Sequence, residues 1–315
     1  MRTRICCKED SAPWHTPWHD FEGNKMQSVQ VTGLKRAASP GPVQVIAVTG
    51  GKGGVGKTSV AVNLATALGS TGKRVLLLDG DLGLANVDVF LGLSPRHTMA
   101  QVLAGERSLE EIIVESQYGV NVVPGASGIA ELANLSAVAH LQLVQAFSAL
   151  TARIDTLIID TSAGISHSVV QFTQAAQHVL LVVCDEPASM TDAYALAKVM
   201  SRNHGVSKFF VLANQTRSAG EGDALFQKFQ RVANRFLEVT LEYVGEIPDD
   251  PYLKKAIREQ RPVTAAFPSC PASRAFKKLA LKADKWPVPE FPRGNLEFFV
   301  ERLVRKPQAR LEVVR

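Results

Sequence analysis

Residues 43–59 read VQVIAVTGGKGGVGKTS. Val43–Thr49 is a β-branched, nearly all-apolar run of strand length, and Gly51-Lys52-Gly53-Gly54-Val55-Gly56-Lys57-Thr58 matches the pattern G-x-x-x-x-G-K-[ST]. A helical pattern follows through Leu68. The order strand, glycine-rich loop, helix gives the motif its chemistry. Glycines allow backbone conformations that aim successive N–H groups at phosphate oxygens. The start of the helix adds a favourable field for an anion. In that setting Lys57 reaches the β- and γ-phosphates of a nucleotide, and the Thr58 hydroxyl ligates Mg²⁺. The candidate phosphate site is therefore Gly51, Lys52, Gly53, Gly54, Val55, Gly56, Lys57, Thr58 and the adjoining Ser59.

Outward from this loop, short apolar runs alternate with helical stretches. Strand-like runs are Arg74–Asp79 (RVLLLD), Gly119–Pro124, Asp155–Asp160 (DTLIID), His178–Cys184 (HVLLVVC), Lys208–Asn214 (KFFVLAN) and Leu241–Ile247. Glu131–Ala152, Ser166–Gln177, Thr191–Asn203 and Glu221–Leu237 are helical in pattern. Near-continuous apolar strands separated by helices predict an α/β fold: a doubly wound, mostly parallel sheet with helices on both faces. Asp79-Gly80-Asp81 closes one strand and Asp160 another, both read as flanking the first, at the sheet edge where such folds bind ligands. A carboxylate there holds Mg²⁺ directly or through water, or serves as a helix cap or turn former.

The chain has 315 residues, long enough for one large α/β domain or two smaller ones. With 46% hydrophobic and 21% charged residues, wholesale disorder and collagen-like repeats are excluded. The longest apolar runs are strand-length, far short of the roughly 20 residues a membrane-spanning helix needs. Cys6, Cys7, Cys184 and Cys270 are too scattered for a disulfide framework or a zinc site, which points to a reducing, cytoplasmic compartment. Of the net charge of +5, the end is the source: residues 274–315 hold eleven basic against five acidic side chains. A basic end meets phosphate, on lipid or on nucleic acid, or is simply a solvated tail. Residues 1–25 show neither strand nor helix period and no secretory pattern. They are expected to be a disordered extension, with Met26 as the true start. The organisation expected is 26–42 as N-terminal motif and linker, 43–265 as the nucleotide-binding domain, and 266–294 as a basic, proline-rich segment completing it. A helix at 295–305 and a tail at 306–315 follow.

The second lysine inside the loop, Lys52, makes the KGGxGKT form that resembles the signature of the MinD/ParA family of P-loop ATPases. The resemblance implies an ATP-sandwich homodimer in which Lys52 crosses to the partner's nucleotide. It also implies that Asp81, the second aspartate of the D-x-D, activates the attacking water, while Asp79 and Asp160 join Thr58 in the magnesium shell. Asp160-Thr161-Ser162-Ala163-Gly164 resembles the family's DxxAG switch, which makes Gly164 a γ-phosphate sensor. A guanine-reading NKxD is excluded by Arg217, three residues after Asn214. The family's adenine contact maps to Asn214, with Pro248 and Asp249 lining the same pocket. Asn214 as a plain strand terminator is the alternative. ATP and Mg²⁺ are thus the implied ligands.

Within that family, Leu78–Leu91 (LDGDLGLANVDVFL), Asp160–Val169 (DTSAGISHSV), Cys184–Lys198 (CDEPASMTDAYALAK) and Ile247–Val263 (IPDDPYLKKAIREQRPV) resemble the FlhG/FleN regulators of flagellar number and placement. The resemblance covers about residues 43–305. It implies slow, regulatory hydrolysis of ATP, with an FlhF-type GTPase, a FleQ-type transcription regulator and flagellar switch-complex proteins as partners. Gln30–Arg36 resembles the family's N-terminal activating motif loosely, with Val29 in place of its leading acid. Leu296, Phe299, Val300, Leu303 and Val304 fall at i, i+3, i+4, i+7 and i+8, one apolar stripe interrupted on its polar side by Phe298. Such a helix packs on the domain or lies in a membrane interface. The family uses it to hold the ATP-bound dimer on the inner face of the cell membrane, with no direct nucleic-acid binding expected. Two rivals share the chemistry: a MinD-type division-site ATPase, and a ParA-type partitioning ATPase that grips DNA through the basic C-terminal residues. An iron–sulfur ATPase needs paired cysteines near the second switch, and Asp160–Val183 has none.

Overall fold

The computed structural model describes residues 42–126, 136–150, 154–288 and 297–299. The expected extension 1–25, nearly all of 26–42 and the tail 306–315 lie outside them. So does the helix of 295–305, apart from Glu297–Phe299.

The chain begins with β1 (Gln44–Thr49), α1 (Lys57–Gly69) and β2 (Val75–Asp79). Three short helices follow, α2 (Val87–Leu91), α3 (Met99–Leu103) and α4 (Leu109–Ile112), then β3 (Val114–Glu115) and β4 (Val120–Val123). The pattern continues as α5 (Ala137–Ser148), β5 (Thr156–Asp160), α6 (His167–Ala175), β6 (His178–Val183), α7 (Pro187–His204), β7 (Lys208–Thr216), α8 (Glu221–Phe236) and β8 (Thr240–Pro248). It ends with α9 (Pro251–Arg258), α10 (Val263–Ala266) and α11 (Pro271–Ala283). One eight-stranded sheet runs β3-β4-β2-β5-β1-β6-β7-β8, and only the β3–β4 pair is antiparallel. This is the doubly wound sheet that the sequence predicts.

Every residue of β1 is buried because both faces are covered. Its side chains alternate: Ile46 and Val48 join the core under α1 and α11, while Val45 and Ala47 join the core under α5. A third cluster packs α7 and α8 on β6 and β7. Helix α1 is buried nearly all round, since it lies between the sheet and α11.

One expectation needs correction. β5 flanks β1, but β2 does not; β2 pairs with β5, with Asp79 in register with Asp160. Asp79 is thus one strand further from the phosphate loop than the sequence suggested. Glu297–Phe299, the described part of the 295–305 segment, form a turn with Phe299 at φ 57°, and the rest of the expected helix lies outside the described residues. That turn lets two adjacent phenylalanines bury together. Phe298 packs edge-on against Phe147 (4.9 Å between centroids) and stacks on Phe172 (6.4 Å).

Residues 266–294 read as a basic, proline-rich segment, and α11 within them is a well-packed helix. Pro271 takes the first turn of α11, where a missing N–H costs nothing. Ala272, Phe276, Leu279, Ala280 and Ala283 then line its buried face. Trp286 ends this segment stacked on Phe210 at 3.9 Å, and Gln44 donates to the Ala283 carbonyl at 2.8 Å.

Candidate functional site

The C-terminal ends of β1, β2, β5, β6, β7 and β8 form one edge, and every site residue predicted from the sequence lies along it. The phosphate loop joins β1 to α1. Helices α3, α4 and α5 begin with side-chain caps from Thr98, Ser108 and Ser136. Helix α1 has none: Gly56, at φ 88°, precedes it, with no acidic residue in its first turn. Its N–H groups are therefore left for an external anion. At Gly51 any side chain is excluded, because a Cβ would stand 2.1 Å from the Asp192 backbone; α7 presses directly on the loop.

The two lysines of the loop are placed differently. Lys57 is buried, and its Nζ donates to the Lys52 carbonyl at 3.4 Å. Burial lowers its pKa, and Asp160 and Asp81 oppose that shift. Lys52 points outward and pairs with Glu186 at 2.6 Å at the start of α7, an ion pair that raises the lysine pKa. Glu186 and Asp192 belong to the Cys184–Lys198 stretch. Sequence patterning gave neither a place beside the loop, because the contacts arise from the β6–α7 crossover.

The carboxylates divide by role. Asp160 is fully buried and takes a hydrogen bond from Thr58, while its Oδ1 has no hydrogen-bond partner. Burial, and then the neighbouring Asp79, push its pKa well above the carboxylate range. An orphaned buried oxygen beside the Thr58 hydroxyl fits a hard divalent cation, which takes oxygen ligands. Among the described residues no group of three or more His, Cys, Asp or Glu could hold a metal, so phosphate and water would complete the shell. Asp79 accepts from three backbone N–H groups. Its Oδ1 accepts from the Asp81 N–H at 3.1 Å, and its Oδ2 from Asn86 and Val87 at 2.8 and 2.9 Å. It holds the loop between β2 and α2, and burial raises its pKa. Asp81 stands half-buried on that loop, its pKa raised by burial and opposed by backbone N–H groups and Lys57. Gly164, at φ 89°, donates to the Gly50 carbonyl at 3.4 Å, which brings the second switch against the phosphate loop. Ser59 is buried with its hydroxyl unpaired.

At the far end, β7 and β8 bring Asn214 beside Pro248 and Asp249. Asn214 pairs in register with Ile247, and the Asp249 N–H donates to Thr216 O at 2.8 Å. The Asn214 amide is turned to the loop, with Nδ2 donating to Val55 O at 2.7 Å. Asp249 is exposed and paired with Lys254 at 2.6 Å. Two residues absent from the sequence reading also act here. Asp250 caps α9 through Tyr252 N and accepts from Ala272 N, tying β8 to α11. Gln215 donates from Nε2 to Gly54 O at 3.1 Å. An aspartate before a proline at a helix start was a legible cap signal for Asp250; nothing in the sequence marks Gln215.

An AAA domain family profile matches residues 43–208. The chain is 56% identical over 274 residues to the antiactivator FleN of Pseudomonas aeruginosa, covering 87% of this chain and 98% of that protein. It is 33% identical over 269 residues to the flagellum site-determining protein YlxH of Helicobacter pylori, covering 84% and 91%. The solved structure of the septum site-determining protein MinD of Pyrococcus horikoshii, complexed with Mg-ADP, superposes with a TM-score of 0.64 at 29% identity. It covers 78% of this chain and 97% of that one. Phosphate loop, sheet order and relatives agree: the chain belongs to the FleN/FlhG flagellar regulators within the MinD/ParA family of P-loop ATPases.

Proposed function

We propose that the chain is an ATP-dependent dimerising switch that sets flagellar number and placement, and that its hydrolysis of ATP is slow and Mg²⁺-dependent. The observation that carries this reading is the division of labour between the two loop lysines. Lys57 occupies the buried position of its own loop, so a bound triphosphate has its cis cation. Lys52 is turned out onto an open face, held by Glu186, where a second subunit would meet it. Leu84 and Ile165, 70% and 52% exposed, follow Asp81 and Gly164 and add apolar surface near the two switches.

In this reading Gly51–Gly56 and the first turn of α1 bind the phosphates, and Lys57 neutralises charge as it develops. Asp81 orients the attacking water and takes its proton. Asp160 and Thr58, with Asp79 through water, would hold Mg²⁺, which would supply neutralisation of the phosphate oxygens. Asp79 fixes the backbone that carries Asp81. Gly164 and the loop after Asp81 respond to the γ-phosphate, and its loss releases them. Asn214, Pro248 and Asp249 face the base. The partners proposed are an FlhF-type GTPase, a FleQ-type transcription regulator and flagellar switch-complex proteins. The name of the Pseudomonas relative, an antiactivator, supports the second of these. Among the described residues no helix is long and apolar enough to cross a membrane. Membrane association would rest on residues 295–305 of each subunit, doubled in a dimer. Since Phe298 and Phe299 are buried, either that segment inserts beyond them or they leave the core.

A partitioning ATPase remains the second reading, because Arg274, Lys277, Lys278 and Lys282 are exposed along one side of α11, with Lys285 exposed just past its end. Liposome co-sedimentation against gel shifts on random DNA separates the two. For the switch itself, size-exclusion chromatography with ATP is decisive: wild type should run as a dimer and Lys52→Ala as a monomer that still binds ATP. Unchanged dimerisation of Lys52→Ala would sink the trans-lysine assignment.

A further inference from the structure

We propose that Gln215 is a positioning residue for the phosphate loop, forming with Asn214 a two-amide clamp on consecutive loop carbonyls. The proposal rests on the loop binding ATP. In a regular strand, neighbouring side chains point to opposite faces, so Asn214 and Gln215 should not reach the same target. β7 departs from that rule at its end. The β7–β8 ladder shifts register between Asn214 and Thr216, and Gln215 takes φ 59°, in the left-handed region. Both amides then meet the loop, Asn214 Nδ2 on Val55 O at 2.7 Å and Gln215 Nε2 on Gly54 O at 3.1 Å.

The effect on the loop follows from the peptide bond. A trans peptide is planar, with its C=O and N–H directed oppositely. Holding the Gly54 and Val55 carbonyls therefore fixes the directions of the Val55 and Gly56 N–H groups, two of the donors the loop offers to phosphate. Gly56 lies under the clamp: a Cβ there would be 2.4 Å from Asn214 Nδ2 and 3.9 Å from Gln215 Nε2. The left-handed backbone at Gln215 is strained for any residue with a Cβ, and the contact with Gly54 is what a glutamine gains in return. Its amide is engaged with the loop, so it acts on phosphate binding, while base selection belongs elsewhere.

The test compares full-length wild type, Gln215→Ala and Gln215→Gly by equilibrium titration with fluorescent ATP, ADP and GTP, and by steady-state hydrolysis. Both variants should bind ATP and ADP about three- to ten-fold more weakly, the loss expected for one amide–carbonyl hydrogen bond. KM should rise by more than kcat changes, and the ATP-to-GTP preference should hold. Gln215→Gly removes the backbone strain, so it should melt no lower than wild type while still binding weakly, which separates positioning from a damaged fold. Wild-type affinity in both variants overturns the proposal. A changed ATP-to-GTP preference overturns it in favour of base reading, and a fall in kcat alone in favour of a role in the chemical step. If wild type itself binds no nucleotide, the ATP reading fails and takes this one with it.

Discussion

A carboxyl that is useful only with a cation beside it is a burden without one. Asp160 shows this. It is fully buried, its Oδ1 lacks a partner, and its pKa is pushed well above the ordinary carboxylate range. Replacing the ionisable carboxyl by an amide should therefore separate function from stability. Asp160→Asn is expected to weaken Mg²⁺ activation of hydrolysis by about 10- to 100-fold, the range seen when a metal site loses support. The same variant should melt no lower than wild type without nucleotide, since burial already disfavours the ionised form of this carboxyl and Oδ1 gains nothing from its charge there. Magnesium titration of ATPase activity and a melting curve check the two halves. Gly51, Lys57, Thr58 and Asp160 were legible because a contiguous motif or a strand end marks them. Glu186, Asp192 and Gln215 were not, because their roles depend on which crossover brings them to the loop.

Element α11 shows how far hydrophobic spacing carries and where it was overlooked. Its buried face repeats at helical intervals, but the surrounding prolines and lysines hide it from a reading by composition. The segment is an integral layer: Phe276 and Leu279 bury against α1, and Lys282 donates to Val244 O on β8 at 2.9 Å. Trp286 closes it on the underside, against Phe210 and His178. Trp286→Ala should cost about 3–5 kcal/mol by urea denaturation, as for other large aromatic-to-alanine changes in cores. A loss below about 0.5 kcal/mol, the size of an ordinary surface change, would show that the segment is only loosely attached.

At the scale of the whole molecule, stability should carry a pH dependence set by His140. The ring is buried against Phe172 and Phe298, its Nδ1 has no hydrogen-bond partner, and burial lowers its pKa to about 4. A histidine whose folded pKa lies below its unfolded value stabilises the fold fully above about 6.5, and that contribution is lost as pH falls through the window from about 6.5 to 4. The loss amounts to at most about 3.5 kcal/mol, from roughly 1.4 kcal/mol per pKa unit. Asp79 and Asp160 have raised pKa values and so contribute with the opposite sign. The comparison that isolates His140 is wild type against His140→Leu, whose stability difference should change across that window and level off below pH 4. A constant difference from pH 7 to pH 4 would show that the ring is solvated.

The sequence alone determined the alternation of strand and helix, the parallel sheet and the phosphate loop. These are local or periodic properties, written in residue spacing and glycine placement. Tertiary structure decided the rest: that β5 and not β2 lies beside β1, that α7 holds Lys52 through Glu186, and that the end of β7 reaches back to grip the loop. Each depends on strand order and crossover, which join residues more than a hundred positions apart and leave no mark on the spacing of either one.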